Sequence, residues 1–167
     1  DTNMAIISTD IKYKLSGGVS NTNPNLSLGG VRSTTDASTN LLDDVSSAEA
    51  TSGDIEYRCV YVNNTHATLT LLGAKLWIQA NTPSASTDAA IGLGTAGLNA
   101  TEQTVADENT APIGVTFSNP SSFASGLTLG DIPATQHYSI WIRRTVTAGA
   151  PAAADSFTLR VQGDTNP

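Results

Sequence analysis

The clearest order in the chain is apolar–polar alternation with period two, the mark of a strand with one buried face. Ile11-Lys-Tyr-Lys-Leu15 puts Ile11, Tyr13 and Leu15 on one side. Ile55-Glu-Tyr-Arg-Cys-Val-Tyr-Val62 sets Ile55, Tyr57, Cys59 and Tyr61 together. Leu69–Leu72 and Ala74–Gln79 follow, and Gly73 between them marks a bulge. Ala90–Leu93, Val115–Phe117, Gly126–Leu129, Tyr138–Arg143 and Ser156–Val161 complete eight or nine short strands bounded by Gly, Pro, Asn and Asp. This pattern predicts an all-β antiparallel β-sandwich. Its expected core is Tyr57, Cys59, Tyr61, Leu76, Ile78, Ile140, Ile142, Phe157 and Leu159.

Helix is almost missing from the pattern. Ser46 and Glu49 have capping-box spacing, but Gly53 follows within about a turn, so Ser46–Ala50 reads as a decorated loop before the Ile55 strand. The segment 16–51 is a long loop-rich elaboration, Gly/Asn/Ser/Thr-rich, with Leu26 and Leu28 its clearest alternation. Asn81–Asp88 and Asn99–Pro112 are also polar and turn-rich. Loops of this length are functional, ordered by a partner, or mobile. The length of 167 residues suits one domain spanning 1–167, with 1–10 a candidate N-terminal arm.

Charge narrows the partners. The formal net charge is −7, and eight Lys and Arg are spread over the whole chain. Phosphate contacts need clustered cations, so nucleic acid is not an expected partner. No apolar run approaches a membrane span, so no membrane is expected either. Cys59 is the single cysteine, which rules out an internal disulfide, and its apolar run predicts a buried small hydrophobe.

Candidate chemistry is sparse. Gly92-Leu-Gly-Thr-Ala-Gly97 matches a dinucleotide fingerprint, but Leu98-Asn-Ala-Thr-Glu-Gln-Thr has no helical apolar repeat to follow it, so the segment reads as a turn. His66 and His137 have no neighbour at metal-ligand spacing, and no nucleophile elbow is present. The expectation is no enzyme, no catalytic residue, no cofactor and no metal. One alternative is a Ca²⁺ site from Asp107, Glu108 and a loop carbonyl. Asn25, Asn63 and Asn99 head glycosylation sequons of the kind an Asn/Thr-rich chain produces by chance.

The aromatic pattern carries more. If Leu76 and Ile78 face the core, Trp77 faces outward beside Lys75; if Ile140 and Ile142 do, Trp141 faces outward beside Arg143. Trp77, Trp141, Lys75 and Arg143 therefore form the candidate interaction surface, as sugar-stacking platforms or protein anchors, unless long loops cover them.

Several segments resemble, in order, virion structural proteins of tailed bacteriophages. They are Gly53–Asn63, Ile132–Val146, Ser16-Gly-Gly18 with Asn23–Gly30, Leu41–Val45 and Ser156–Asp164. The resemblance implies an Ig-like sandwich on a virion, with no catalytic residues to carry over. It implies a capsid decoration (cement) protein bound to the major capsid protein on the outside of the head. A tail-associated part, with tail proteins as partners, and self-association are alternatives within the resemblance. A carbohydrate-binding module using the two Trp is the alternative outside it.

Overall fold

The computed structural model describes residues 5–149 and 155–165. Among these, the alternating segments become β1 (Ile11–Leu15), β3 (Asp54–Asn64), β4 (Leu71–Ala80), β5 (Thr87–Leu93), β7 (Leu127–Ile132), β8 (His137–Val146) and β9 (Thr158–Thr165). Two short strands with no periodic signal, β2 (Gly29–Gly30) and β6 (Glu102–Thr104), pair with each other. Gly73 lies inside β4 at positive φ, where the register with β7 shifts, so two expected strands are one bulged strand. Val115–Phe117 is not a strand; its backbone leads to a single bridge between Ser118 and Ile91. The capping box at Ser46 and Glu49 forms, and it starts a true helix, α1 (Ser47–Ser52), where a loop was expected. No helix among the described residues is long and apolar enough to cross a membrane.

All pairing is antiparallel. One sheet has the order β1-β3-β8-β5 and the facing one β7-β4-β9. The expected all-β sandwich is what forms. Its Ig-like aspect is two antiparallel sheets face to face, while the pairing is nested: β3 and β4 pair with β8 and β7, a double hairpin folded over as in a jelly roll. In the β3–β8 register Val60 faces Ile140 and Cys59 faces Trp141. Partners in register share a face, so Val60, Val62, Ile140 and Ile142 point inward, onto Leu76, Ile78, Leu129 and Ile132. Each fully buried aliphatic side chain there contributes roughly 1.5–3 kcal/mol.

The same register corrects the expected core. Tyr57, Cys59 and Tyr61 are buried, but on the opposite face of the four-stranded sheet from Ile140 and Ile142. Tyr57 and Cys59 form a second apolar cluster with Trp141 and Val105. Phe157 and Leu159 are only partly buried, at the margin of the first.

The second cluster exists because segments 16–36 and 94–118 lie across the outer face as a roof. Leu28, Val115 and Phe117 pack down from it. Short polar side chains bonded to backbone hold it in shape. Ser16 Oγ donates to the Cys59 carbonyl at 2.7 Å and accepts the Gly29 N–H at 3.1 Å. Ser33 Oγ donates to the Asn21 carbonyl at 2.6 Å. The Cys59 N–H donates to the Ser27 carbonyl at 2.8 Å, so the roof also closes the edge of β3 beyond β1. Segment 33–37 closes β1 in the same way, through Leu15 N–H to Thr35 and Ala37 N–H to Tyr13. Of the candidate arm, residues 1–4 lie outside the described residues. Asp10 anchors the rest by accepting the Thr65 N–H and hydroxyl, both at 2.7 Å.

Candidate functional site

The face predictions for the two indoles hold, but their exposure does not. Trp141 points away from the sandwich core and is 0% exposed, because the roof covers it. Trp77 points outward from the second sheet and is 6% exposed. Phe123 closes over it edge-to-face at 5.8 Å, and the Arg160 guanidinium lies 5.9 Å from its centroid. The expected basic neighbours serve the covers instead. Lys75 sits 5.2 Å over Phe123, and Arg143 sits 5.2 Å over Phe117. In this state neither indole can act as a stacking platform.

The glycine-rich turn Gly92–Gly97 turns out to serve the roof. A Cβ on Gly92 would strike Val115 and the Thr116 carbonyl, and one on Gly94 would strike Ser139 and Glu102. These glycines admit close approach, as a nucleotide loop's do, but to the protein's own chain. The donors that would cradle a phosphate are bonded internally. Glu102 accepts from the Ala96 N–H at 2.8 Å, Thr95 Oγ1 at 2.9 Å and Ser139 Oγ at 2.6 Å. Burial pushes the Glu102 carboxyl up, but these hydrogen bonds outweigh it and lower its pKa to about 2. Tyr61 hydroxyl ties the two roof strands together, donating to the Gly30 carbonyl at 2.6 Å and accepting the Glu102 N–H at 2.9 Å. Burial raises that phenol to about 12.

A charged cluster lies at the α1 end of β3. Glu56 and Arg58 are 0% exposed and share the inward face with Arg144. Arg144 pairs with Glu56 and, at 3.2 Å, with Asp43; Arg58 pairs with Glu108 at 2.6 Å. Asp43 and Glu108 come from the long loops, so these ion pairs pin both loops to the sheet. Burial raises the Glu56 carboxyl to about 7, against the opposing pull of Arg144. A carboxyl oxygen of Glu56 lies within 4.8 Å of those of Asp43 and Glu108, and also of those of Glu49 and Asp54.

The Ca²⁺ site expected from Asp107 and Glu108 does not assemble. Asp107 Oδ1 accepts the Asn109 N–H at 3.1 Å and the Thr110 hydroxyl at 2.7 Å, closing its own turn, while Glu108 reaches Arg58. His66 Nδ1 accepts the Thr68 and Leu69 N–H groups at 3.2 and 3.0 Å. His137 stacks edge-on to Tyr61 at 4.8 Å, and burial lowers its pKa. Burial raises the Cys59 thiol, leaving it inert. A cavity of about 860 Å³ opens between the four-stranded sheet and the start of β9, lined by Tyr13, Leu41, Val60, Ile142, Phe157 and Leu159 and also by Arg144 and Asp43.

Sequence reasoning missed Glu56, Arg58, Glu102 and Arg144. For Glu56 and Arg58 a signal existed, since Val60 and Val62 continue their face and are inward. Glu102, on a strand without periodicity, had none. Comparison with protein-family profiles, curated proteins and solved structures gave no match.

Proposed function

We propose that this chain is a structural protein of a tailed-bacteriophage virion, a decoration protein that binds the major capsid protein on the outside of the head. The observation that carries this reading is where the resembling segments fall. They supply β3 and β8, the central pair of the four-stranded sheet, together with β9 and the roof turn Ser16–Gly30. What is alike is thus a connected framework. A non-enzymatic role is supported by the bonding of the reactive-looking groups, since the Gly92–Gly97 donors, His66 and the buried Glu102 carboxylate serve the protein's own chain.

The roof, not the indoles, is the docking surface in this reading. Of the eight exposed large apolar side chains among the described residues, Val19, Leu26, Val31, Leu98 and Ile113 lie on it, Ile113 at 84% exposure. Apolar side chains held out on a rigid, hydrogen-bonded surface suit a permanent partner. Quantitative mass spectrometry of purified virions tests the proposal. Copies in head-lattice stoichiometry support it, copies in tail-ring stoichiometry move the protein to the tail, and absence from particles ends the virion reading. Val31→Asp with Ile113→Asp should strip the protein from heads while leaving its melting curve unchanged.

A further inference from the structure

We propose that two copies of this chain associate edge to edge through β9, each giving the other the neighbouring strand that it lacks. β9 ends the order β7-β4-β9, and among the described residues no loop backbone hydrogen-bonds to it. An open row of N–H and C=O groups along a strand of 8 residues is a template for another strand. The three-stranded sheet is also one strand narrower than the sheet it faces. Leu159 and Val161 lie opposite Ile78 and Leu76, so they point inward, yet both are only half-buried.

The other edges of the two sheets are closed or irregular. Segment 33–37 bonds to β1, and Ser118 exchanges two hydrogen bonds of 2.9 Å with Ile91 of β5. β7 carries an extra residue where its pairing with β4 shifts between Gly130 and Thr128, and Gly130 has φ 83°. A bulge of this kind twists an edge away from further pairing. The pairing of β9 with β4 shifts as well, but at both places the extra residue lies in β4, so β9 itself runs unbroken.

Charge selects the occupant. A chain of net charge −7 repels its own copies, so association needs local complementarity. β9 supplies it. Arg160 lies opposite the outward-pointing Trp77, so Arg160, Gln162 and Asp164 form an outward row, and all three are exposed. Among the described residues neither charge has an ion-pair partner; Arg160 has the Trp77 ring beside it. Four positions apart on a strand, the two stand about 13 Å from each other and cannot pair within one chain. In a second copy running antiparallel about a two-fold axis at Gln162, each Arg160 lies opposite the other copy's Asp164. Unlike charges directly opposed stabilise a strand pair, and like charges destabilise it. Centring the pair on Arg160 or on Asp164 would oppose like charges, so the register is fixed. On the inward row the two copies of Val161 become diagonal neighbours and cover the flanks that the sandwich leaves open. A self-matching contact of this kind is closed, giving a dimer and not a filament.

Sedimentation velocity of the purified full chain tests this. One strand pair is a small interface, so a Kd on the order of 10⁻⁵ M is expected, measured up to about 1 mM protein. Added salt should weaken the dimer, because its ion pairs are exposed. Arg160→Asp and Asp164→Arg should each weaken association by about tenfold or more. An equimolar mixture of the two variants should restore it, since each then carries the charges that the other needs. Gln162→Lys, on the axis, should weaken it too, although it lowers the net negative charge. All three positions are exposed, so each variant stays folded, which circular dichroism checks. A monomer over the whole range overturns the proposal, as does an unchanged Kd in the three variants or no gain on mixing. Association lost in Val31→Asp with Ile113→Asp but indifferent to the β9 charges belongs to the roof and also overturns it. None of these readouts depends on a virion, so the two proposals fail separately.

Discussion

Trp77 and Trp141 occupy corresponding places. Each is the centre of an apolar-Trp-apolar triplet, points away from the sandwich core, and has a basic residue two positions away. Their covers differ. Trp141 lies under a roof drawn from two segments remote in sequence, among Tyr57, Cys59 and Val105. Trp77 is covered by the single ring of Phe123, itself 41% exposed, while Arg160 on the next strand adds its charge. The fate of an outward side chain is therefore set by what later crosses it. The roofed face has become a second interior, with its own polar network, whereas the other face remains a surface with one capped residue.

The difference predicts unequal costs of truncation. Trp141→Ala empties a site that cannot collapse, because the roof is bonded in place, and should cost about 3–5 kcal/mol. Trp77→Ala should cost about 2 kcal/mol, since Phe123 can settle into the space. Denaturant melts of the two variants measure this directly. Equal losses would mean that the roof is no firmer than the Phe123 cap.

Next in size is the bonding that holds the roof. Glu102→Ala leaves the Ser139 hydroxyl, the Thr95 hydroxyl and the Ala96 N–H without their acceptor, at about 2 kcal/mol. Amide exchange should quicken over 94–105 and stay unchanged around Phe123. Because the folded carboxyl sits at about 2, below its unfolded value, its contribution is complete above about pH 4.3 and is lost as pH falls through about 2. Glu102→Gln should flatten the melting profile in that acid window alone.

The inner layer was legible in the sequence and the outer one was not, for a physical reason. Alternation reports one buried face, and it located β1, β3, β4, β5, β7, β8 and β9. In β3 the nine residues 56–64 are all buried, so its two faces look alike, and Tyr57, Cys59 and Tyr61 were merged with a core they back onto. The continuous apolar run Cys59-Val-Tyr-Val62 was the available sign of a strand covered on both sides. The roof left no such sign. Its order comes from Ser, Asn and Thr bonding to backbone over long separations, as Ser16 does to Cys59, and such pairs have no period.

The charged cluster separates the two faces by pH, since Glu108 ties the roof to Arg58 of the sheet and, among the described residues, no ion pair lies beside Trp77. Glu56 faces Arg144 and Arg58 together with Asp43, Glu108, Glu49 and Asp54. Its folded pKa is raised to about 7, so the folded state holds the proton more tightly than the unfolded one. The resulting stability is complete below about pH 4.3 and is lost as pH rises through about 7. The wild type should lose on the order of 1–2 kcal/mol between about pH 5 and 8. Glu56→Gln should remove most of that slope, which separates it from the general repulsion of a chain with net charge −7. A slope unchanged in the variant would place the titration elsewhere.

The smallest effects lie at the Phe123 cap, and they test whether it is a cap at all. Lys75 contributes a cation over an exposed ring, and Lys75→Ala should cost only about 0.5 kcal/mol. Phe123→Ala should cost about 1 kcal/mol, the edge-to-face contact together with the partial burial of both rings. Stability is the blunt readout here, and indole accessibility is the sharp one. With Trp141 sealed by the roof, any acrylamide quenching gained in Phe123→Ala reports Trp77 alone, and the same substitution in Trp77→Phe should gain none. Quenching already high in the wild type would mean that Phe123 does not cover the indole, and the second sheet would then present an open aromatic face after all.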